Sequence, residues 1–369
     1  MNQLFRWDQT GLFLLALAAG ILPFAVPEVC AAALREGLAL CSGPLLLSLF
    51  PFLVVSRLLV QCPESDLLAL PFRLAVWGIG IRTPCAARVL CIGFLGGFAP
   101  AASAAAQAVR TGQLTVEEAD ALLPACICSG PSFVVLTVGQ SLLGSAELGV
   151  LLFASQITAN YLTAALLNRF AGVRSVKPGS AAPASPAPPR LDEILADAAI
   201  TYCKLCGFIL FFRMLAAGAG ALLPAGAGTL CAVLLEVCSG CDLASRTGRW
   251  GSLLCCAALS VQGLSVLLQV RTICPPEMTL RPLYRARMLH LPLSLALFYL
   301  LLPGGEADVF STLPARVLLM RRVPPDCALL VFAVCCMAAC ALRSGIRQVE
   351  QKQMARNASG CCINSKTLL

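Results

Sequence analysis

Two long apolar stretches of this sequence are interrupted at corresponding places by glycine, serine and proline. The first runs from Gly93 to Phe133 and the second from Gly228 to Gln269. In each, an apolar arm breaks at small residues, a short polar connector follows, and a second apolar arm breaks again, at residues 129–131 and 260–263 respectively. A broken backbone inside a membrane persists only where protein or a water-filled cavity satisfies its free N–H and C=O groups. Two such breaks therefore indicate a solute site.

The composition places these stretches in a membrane. Hydrophobic residues make up 58% of the 369-residue chain and charged residues only 12%, so a soluble domain of this length could not cover its surface with polar groups. We predict an all-α, polytopic membrane protein with the lipid bilayer as a partner. The net charge of +8 is spread over short connectors and the tail, which favours a role in orienting the spans over a nucleic-acid partner.

The residue types that carry catalysis or bind metals show no recognisable pattern. Most of the 21 cysteines lie inside apolar runs, and the chain has one histidine. Cys203 with Cys206 and Cys238 with Cys241 form CxxC pairs, but their apolar surroundings favour small buried thiols over a metal or redox site. No paired carboxylates, HExxH motif or Ser/His arrangement falls within the apolar runs. We predict no metal, no cofactor and no enzymatic activity.

Shifts in composition divide the chain into five segments. A linker rich in proline, alanine and serine separates two halves. A polar tail follows the last apolar run, which we predict to be a membrane helix over Asp326–Leu342. The segments are the N-terminal membrane helices with a connector (1–84), the first interrupted unit (85–170), the linker (171–190), the second interrupted unit (191–302), and the last membrane helix with the tail (303–369).

Small residues and prolines mark the breaks of the first unit. Gly97 frees the backbone and Pro100 removes a hydrogen-bond donor, so the first arm should break near them. The second arm should break at a run of four small residues and proline, namely Ser129, Gly130, Pro131 and Ser132.

The connector between these two breaks has the form of a capping box. Thr115 and Glu118 stand three residues apart, so the hydroxyl can accept from one backbone amide while the carboxylate accepts from the other. We therefore predict a helix over Val116–Leu123. Glu117, Glu118 and Asp120 are expected to form a solvated face of that helix.

Polar side chains inside the second unit allow two interpretations. Glu236 falls within the apolar run Leu230–Cys238, where a carboxylate facing lipid is costly. It either faces a partner or a cavity, or it is a helix-end glutamate near the interface with a structural partner. Ser260, Gln262 and Gln269 fit either recognition of a polar solute or hydrogen bonds between helices.

Charged residues also mark several predicted helix ends. Arg57 lies near the end of the span Pro44–Val60, where it either snorkels to the interface or belongs to a solute pathway. Acidic residues in Leu191–Ile200 predict a separate amphipathic helix on the membrane surface, before a span over Phe208–Leu223. Arg287 precedes the predicted span Met288–Leu302, which we interpret as scaffold.

One stretch of the first unit resembles a known family. The sequence GFLGGFAPAASAAAQAVRTGQLTVEEADALLPACICSGPSFVVLTVG is similar to the nucleoside-recognition, or gate, domain of bacterial sporulation integral membrane proteins of the YlbJ type. The segments SLFPFLVVSRLL, LCGFILFFRML, LLEVCSG and ALSVQGLSVLLQV are similar as well, so the resemblance covers most of Pro44–Leu302. It implies that the two units are gate-type repeats containing interrupted or re-entrant helices.

The resemblance also implies site residues. The matching positions are Gly97, Pro100, Ser129, Gly130, Pro131, Glu236, Ser239, Gly240, Gln262, Gly263 and Gln269. The chain departs from the family in its first unit. Relatives tend to have GYP followed by a GAK-like step, whereas this chain has Gly97-Phe98-Ala99-Pro100 and no lysine. Relatives have paired asparagines before the second break, whereas this chain has Ile127-Cys128.

These expectations lead to a transport hypothesis. The resemblance implies a protein of a bacterial cell or forespore membrane that is needed late in sporulation and linked to moving dipicolinate. Helix N-termini at the breaks would favour such an anion. The expected partner is a small-molecule solute, with or without a coupling ion, and a homo-oligomer stays open. A non-transporting sporulation scaffold and a nucleoside-type transporter are the alternatives.

Overall fold

The computed structural model describes residues 9–61, 67–171 and 191–302. Within these ranges the chain is helical and has no strand. The predicted span Asp326–Leu342, the tail and the linker from residue 172 lie outside the described residues. The helices are α1 (Gln9–Ala25), α2 (Pro27–Ser42), α3 (Pro44–Gln61), α4 (Leu70–Gly78), α5 (Pro84–Gly96), α6 (Phe98–Arg110), α7 (Val116–Cys126), a π-helix (Ser132–Leu142), α8 (Ala146–Ala171), α9 (Leu191–Leu222), α10 (Ala225–Leu235), α11 (Val237–Ser245), a 3-10 turn (Gly248–Trp250), α12 (Gly251–Val261), α13 (Gly263–Ile273) and α14 (Arg281–Leu301).

Three helical segments among the described residues are long and apolar enough to cross a membrane. They are Ala146–Ala171, Leu191–Leu222 and Gly248–Ile273. Helices α1 and α2, bent by 109° at their junction, would add a fourth crossing if they form one broken span. The prediction of an all-helical membrane protein is therefore confirmed for the described residues.

Helix breaks occur at four places in the two units. Helix α5 ends and α6 begins at Gly97, and α7 is separated from the π-helix by residues 127–131. In the second unit, α10 and α11 meet at Glu236, and α12 and α13 meet at Gln262. The last two helices belong to the candidate span Gly248–Ile273, so the Gln262 break lies within a membrane-length segment.

Two of the helix pairs bend sharply at their breaks. A Cβ atom built on Gly93 in α5 would lie 3.2 Å from the Cβ atom of Ala101 in α6. A Cβ atom on Gly240 in α11 would lie 2.8 Å from Cα of Val233 in α10. Seven or eight residues of continuous helix would separate these positions by about 10–12 Å. Each pair is therefore sharply bent at its break.

Helix α6 lies in the core of the first unit. Nine of its thirteen residues are buried, and seven of those nine are alanines. Such small side chains let neighbouring helices approach closely, so the start of α6 at Gly97 is surrounded by protein.

The predicted surface helix over Leu191–Ile200 is wrong. Residues 191–222 form one uninterrupted helix of 32 residues, α9. Its first part is not free on the surface, because Ile194, Ala198 and Leu205 are buried along one side at helical spacing.

The capping box at the start of α7 is confirmed. The Glu118 amide donates to Thr115 Oγ1 over 3.1 Å, and the Thr115 amide donates to the Glu118 carboxylate over 3.3 Å. The solvated face is wrong, however, for two of the three acidic residues, since Glu118 and Asp120 are buried. Asp120 accepts from the amides of Thr279 and Leu280, so this carboxylate holds the turn before α14.

The break cluster as a candidate solute site

Two close glycine contacts bring the four breaks together in pairs. Gly97 has φ of +81°, and a Cβ atom there would lie 2.7 Å from the Gly130 amide nitrogen. Gly263 has φ of +69°, and a Cβ atom there would lie 3.0 Å from the Glu236 amide nitrogen. Only glycine satisfies both the positive φ and the close approach. The break at Gly97 therefore touches the break at residues 127–131, and the break at Glu236 touches the break at Gln262.

Gln262 connects the two pairs of breaks. Its backbone is left-handed, with φ of +66°, which costs a non-glycine residue about 1–3 kcal/mol. Its side-chain Nε2 donates to Leu259 O over 2.8 Å and to Ser129 Oγ over 3.4 Å, so it reaches from the fourth break to the second. Its Oε1 is buried and has no hydrogen-bond partner among the described residues. We call the four contacting breaks, Gly97, residues 127–131, Glu236 and Gln262–Gly263, the break cluster.

Glu236 forms the break between α10 and α11, and it caps α11. The residue is extended, and its carboxylate accepts from the amides of Cys238 and Ser239 over 2.8 and 2.7 Å. The side chain is buried, so it has both a structural partner and a position at the cavity described next. Since this carboxylate occupies the anion position at the N-terminus of α11, the expectation of bare amides for an anionic solute is wrong for α11.

A small cavity adjoins the break cluster. This inner cavity has a volume of about 60 Å³, and its polar lining comes from all four broken helix pairs, through Gly96, Ser129, Gly130, Ser132, Glu236 and Gln269. Gln269 Nε2 donates to Ser265 over 2.9 Å, while its Oε1 is buried and finds no partner within the part of the chain that the structure describes. The volume is far below the roughly 300–1,000 Å³ of small-molecule pockets and leaves room for a few waters or an ion.

Arg287 satisfies freed backbone carbonyls in both units. Its guanidinium donates to Ile127 O over 2.8 Å and to Ser260 O over 3.4 Å, where α7 and α12 end. Asn160 in α8 donates to the same Ile127 carbonyl over 3.2 Å and accepts from Arg287 over 3.1 Å. These bonds meet the requirement that a broken backbone at membrane depth be satisfied internally. The interpretation of Arg287 as a residue before the scaffold span is wrong, because it lies buried inside α14.

Ser260 belongs to a separate polar cluster between helices. It accepts from Gln156 Nε2 in α8 over 3.0 Å and hydrogen-bonds to Ser294 in α14. His290 Nε2 contacts the Gln156 carbonyl over 3.1 Å. Ser260 is not among the residues lining the inner cavity. For this residue the structure favours hydrogen bonding between helices over solute recognition.

Seven other predicted site residues, among them Gly97, Gln262 and Gly263, shape the breaks without lining the inner cavity. Pro100 lies against Gly96, where a Cβ atom would be 2.9 Å from the proline ring. Pro131 immediately precedes the π-helix. Ser239 contributes a backbone amide to the Glu236 cap, and Gly240 permits the close approach of α10 and α11.

No group of three or more metal-binding side chains of the His, Cys, Asp or Glu types comes together within the described residues. The cysteines of the two CxxC pairs are free thiols, with Cys241 buried and Cys203 exposed.

The sequence pattern placed Arg287 outside the span and gave no reason to single out Asn160. The available signal was a basic residue within an apolar helix, which is costly unless it faces the protein interior. Two basic residues just before it, Arg281 and Arg285, made it look like part of an interfacial group.

Within the described residues the chain is all-helical, and its three apolar helices of membrane length are consistent with an integral membrane protein. No protein-family model, no curated protein and no solved structure matches the chain.

Proposed function

We propose that this protein is a membrane transporter whose small polar solute binds at the break cluster. The observation that supports the proposal is that helix breaks distant in sequence contact one another around one cavity, with buried acceptor atoms left open. Broken membrane helices that meet in this way form the solute and ion sites of many transporters. A structural scaffold has no need of such breaks.

The open acceptors indicate the chemistry of the solute. Gln262 Oε1 and Gln269 Oε1 each lack a partner among the described residues, and a buried unsatisfied acceptor costs about 1–3 kcal/mol. The Glu236 carboxylate adds negative charge at the cavity that Gln269 also lines. The site therefore favours a solute with hydroxyl, amide or ammonium donors, or a coupling cation.

This chemistry bears on the solutes that the resemblance implies. A nucleoside brings hydroxyl and amine donors and suits the acceptors directly. Dipicolinate is an anion and would need a cation or protons to accompany it past Glu236. Sporulation, the forespore membrane and dipicolinate rest on the resemblance alone, and we retain dipicolinate as a solute to be tested.

The inner cavity is smaller than the solutes to be tested. At about 60 Å³ it is too small for a nucleoside or an aromatic dicarboxylate. Solute binding then requires the break cluster to open. The breaks of the bent pairs α5–α6 and α10–α11 line the cavity, and movement of these helices would enlarge it.

Uptake into proteoliposomes tests the proposal. Labelled nucleosides, dipicolinate and simple dicarboxylates should include at least one solute with saturable uptake. Gln262→Ala and Gln269→Ala should each lower that uptake about tenfold, the effect of losing one buried hydrogen bond to the solute. Gln140→Ala removes an exposed glutamine of the π-helix and should keep full uptake. Folded protein that moves none of these solutes, with or without Na⁺ or proton gradients, would favour the membrane scaffold.

A further inference from the structure

A second and larger cavity lies at the C-terminal ends of α6 and α13. This outer cavity has a volume of about 170 Å³. It is lined by the last residues of α6 and α13, by Arg57 near the end of α3, and by residues 197–208 of α9. Gln269 lines both cavities, so the outer cavity lies next to the inner one along α13.

The outer cavity has an excess of positive charge. Three cations line it, Arg57, Arg110 and Lys204. They face a single carboxylate, that of Asp197, which leaves an excess of two positive charges. Among the described residues, no ion pair joins Arg110 or Lys204 to an acidic group.

Arg57 is the buried cation of this cavity. Only 8% of the residue is exposed, and its guanidinium donates to Ser103 of α6 and Thr201 of α9, each over 3.3 Å. The third bond goes to the Asp197 carboxylate over 2.5 Å. Arg57 thus neither snorkels freely nor stands alone, because it joins three helices at the cavity wall.

The ion pair between Arg57 and Asp197 is strongly asymmetric. The Arg57 side chain is 10% exposed, whereas the Asp197 side chain is 61% exposed. The carboxylate therefore approaches a fixed, buried guanidinium from the solvent side. An oxyanion from outside can replace it at little cost, since water solvates the displaced aspartate and the guanidinium fork suits carboxylate and phosphate oxygens equally.

We propose that the outer cavity is an oxyanion-binding site in which the Asp197 carboxylate occupies the position that a bound oxyanion would take on Arg57. A phosphate or carboxylate group bonds Arg57 in place of the Asp197 carboxylate, while Arg110 and Lys204 supply the remaining charge. The oxyanion is either a soluble anion or the phosphate of a lipid headgroup, because both present the same chemistry. The site does not depend on whether the break cluster transports a solute.

Binding of inorganic phosphate to the purified protein, measured by calorimetry in a neutral detergent, tests the soluble source. Native mass spectrometry after reconstitution with phosphatidylglycerol or with phosphatidylcholine tests the lipid source. Arg110→Gln and Lys204→Gln, at exposed positions, should each weaken binding of the recognised oxyanion about tenfold, the effect of one charged contact.

Asp197→Asn provides the distinguishing result. The substitution removes the carboxylate that competes with an oxyanion for Arg57, so it should tighten oxyanion binding about tenfold. A general effect of net charge would be reproduced by Glu117→Gln. Glu117 is exposed on α7 and lies outside the cavity lining, so this control changes the same charge elsewhere. Tighter binding in Asp197→Asn alone supports the site, from whichever source the oxyanion comes. Equal effects of the two variants, or no binding of either phosphate or phosphatidylglycerol, would overturn it, even if the protein transports a solute.

Discussion

Arg287 donates a hydrogen bond over 2.8 Å to the backbone carbonyl of Ile127, 160 residues earlier in the chain. A second nitrogen of the same guanidinium reaches the carbonyl of Ser260 over 3.4 Å. One side chain of α14 thus satisfies the ends of broken helices in both units. In a membrane these carbonyls have no water to replace the bond, so the breaks depend on this arginine.

Arg287→Met should therefore destabilise the protein. The substitution retains an unbranched chain but removes three donors from buried acceptors, and the expected loss is about 2–5 kcal/mol of unfolding free energy. Thermal unfolding in detergent measures the effect. Arg285→Met, two residues earlier at an exposed position of the same helix, is the matched control and should shift the midpoint little. Equal midpoints for the two variants would contradict the role assigned to Arg287.

Gly97 combines a backbone conformation that only glycine adopts readily, with φ of +81° and ψ of −164°, with a close contact to Gly130. Gly97→Ala should be more destabilising than Gly112→Ala, although both positions have positive φ, +81° and +70°. A Cβ atom at Gly97 meets the Gly130 backbone at 2.7 Å, whereas nothing lies within 4 Å of one at Gly112. We expect about 1–2 kcal/mol for Gly112→Ala and at least about 2 kcal/mol more for Gly97→Ala. Unfolding midpoints or yields of folded protein that are the same for both would exclude the close approach.

Glu236 has two roles that one substitution can separate. Glu236→Asp keeps a residue type that caps helix N-termini well but withdraws the carboxylate from the cavity. We expect stability to change by less than about 1 kcal/mol and solute uptake to fall about tenfold. Glu236→Ala removes the cap as well and should cost about 1–2 kcal/mol. Uptake that declines only in proportion to the amount of folded protein would leave Glu236 as a helix cap alone.

Local patterns in the sequence predicted several features that depend on few residues. The capping box of Thr115 and Glu118 is one, because its partners are three residues apart. The positions of Gly97 and Gln262 are another, because small and polar residues within apolar runs mark interruptions. Glu236 was singled out for its charge, but the sequence did not show that the helix itself ends there.

Features that depend on contacts between distant residues could not be predicted in this way. Nothing in the local sequence relates Gly97 to Gly130 or Gly263 to Glu236, since each contact forms only when separate helices meet. Asp120 looked like part of a solvated face because the acidic run around it is typical of one. Its partners, the amides of Thr279 and Leu280, lie in a turn about 160 residues away in the chain.

A structure of the protein with its transported solute bound tests the central claim most directly. We predict the solute between the breaks, with a donor atom of the solute within hydrogen-bond distance of Gln262 Oε1 or Gln269 Oε1 and the inner cavity enlarged beyond its present volume of about 60 Å³. A solute bound away from both glutamines, or continuous helices through Gly97 and Gln262, would contradict the claim.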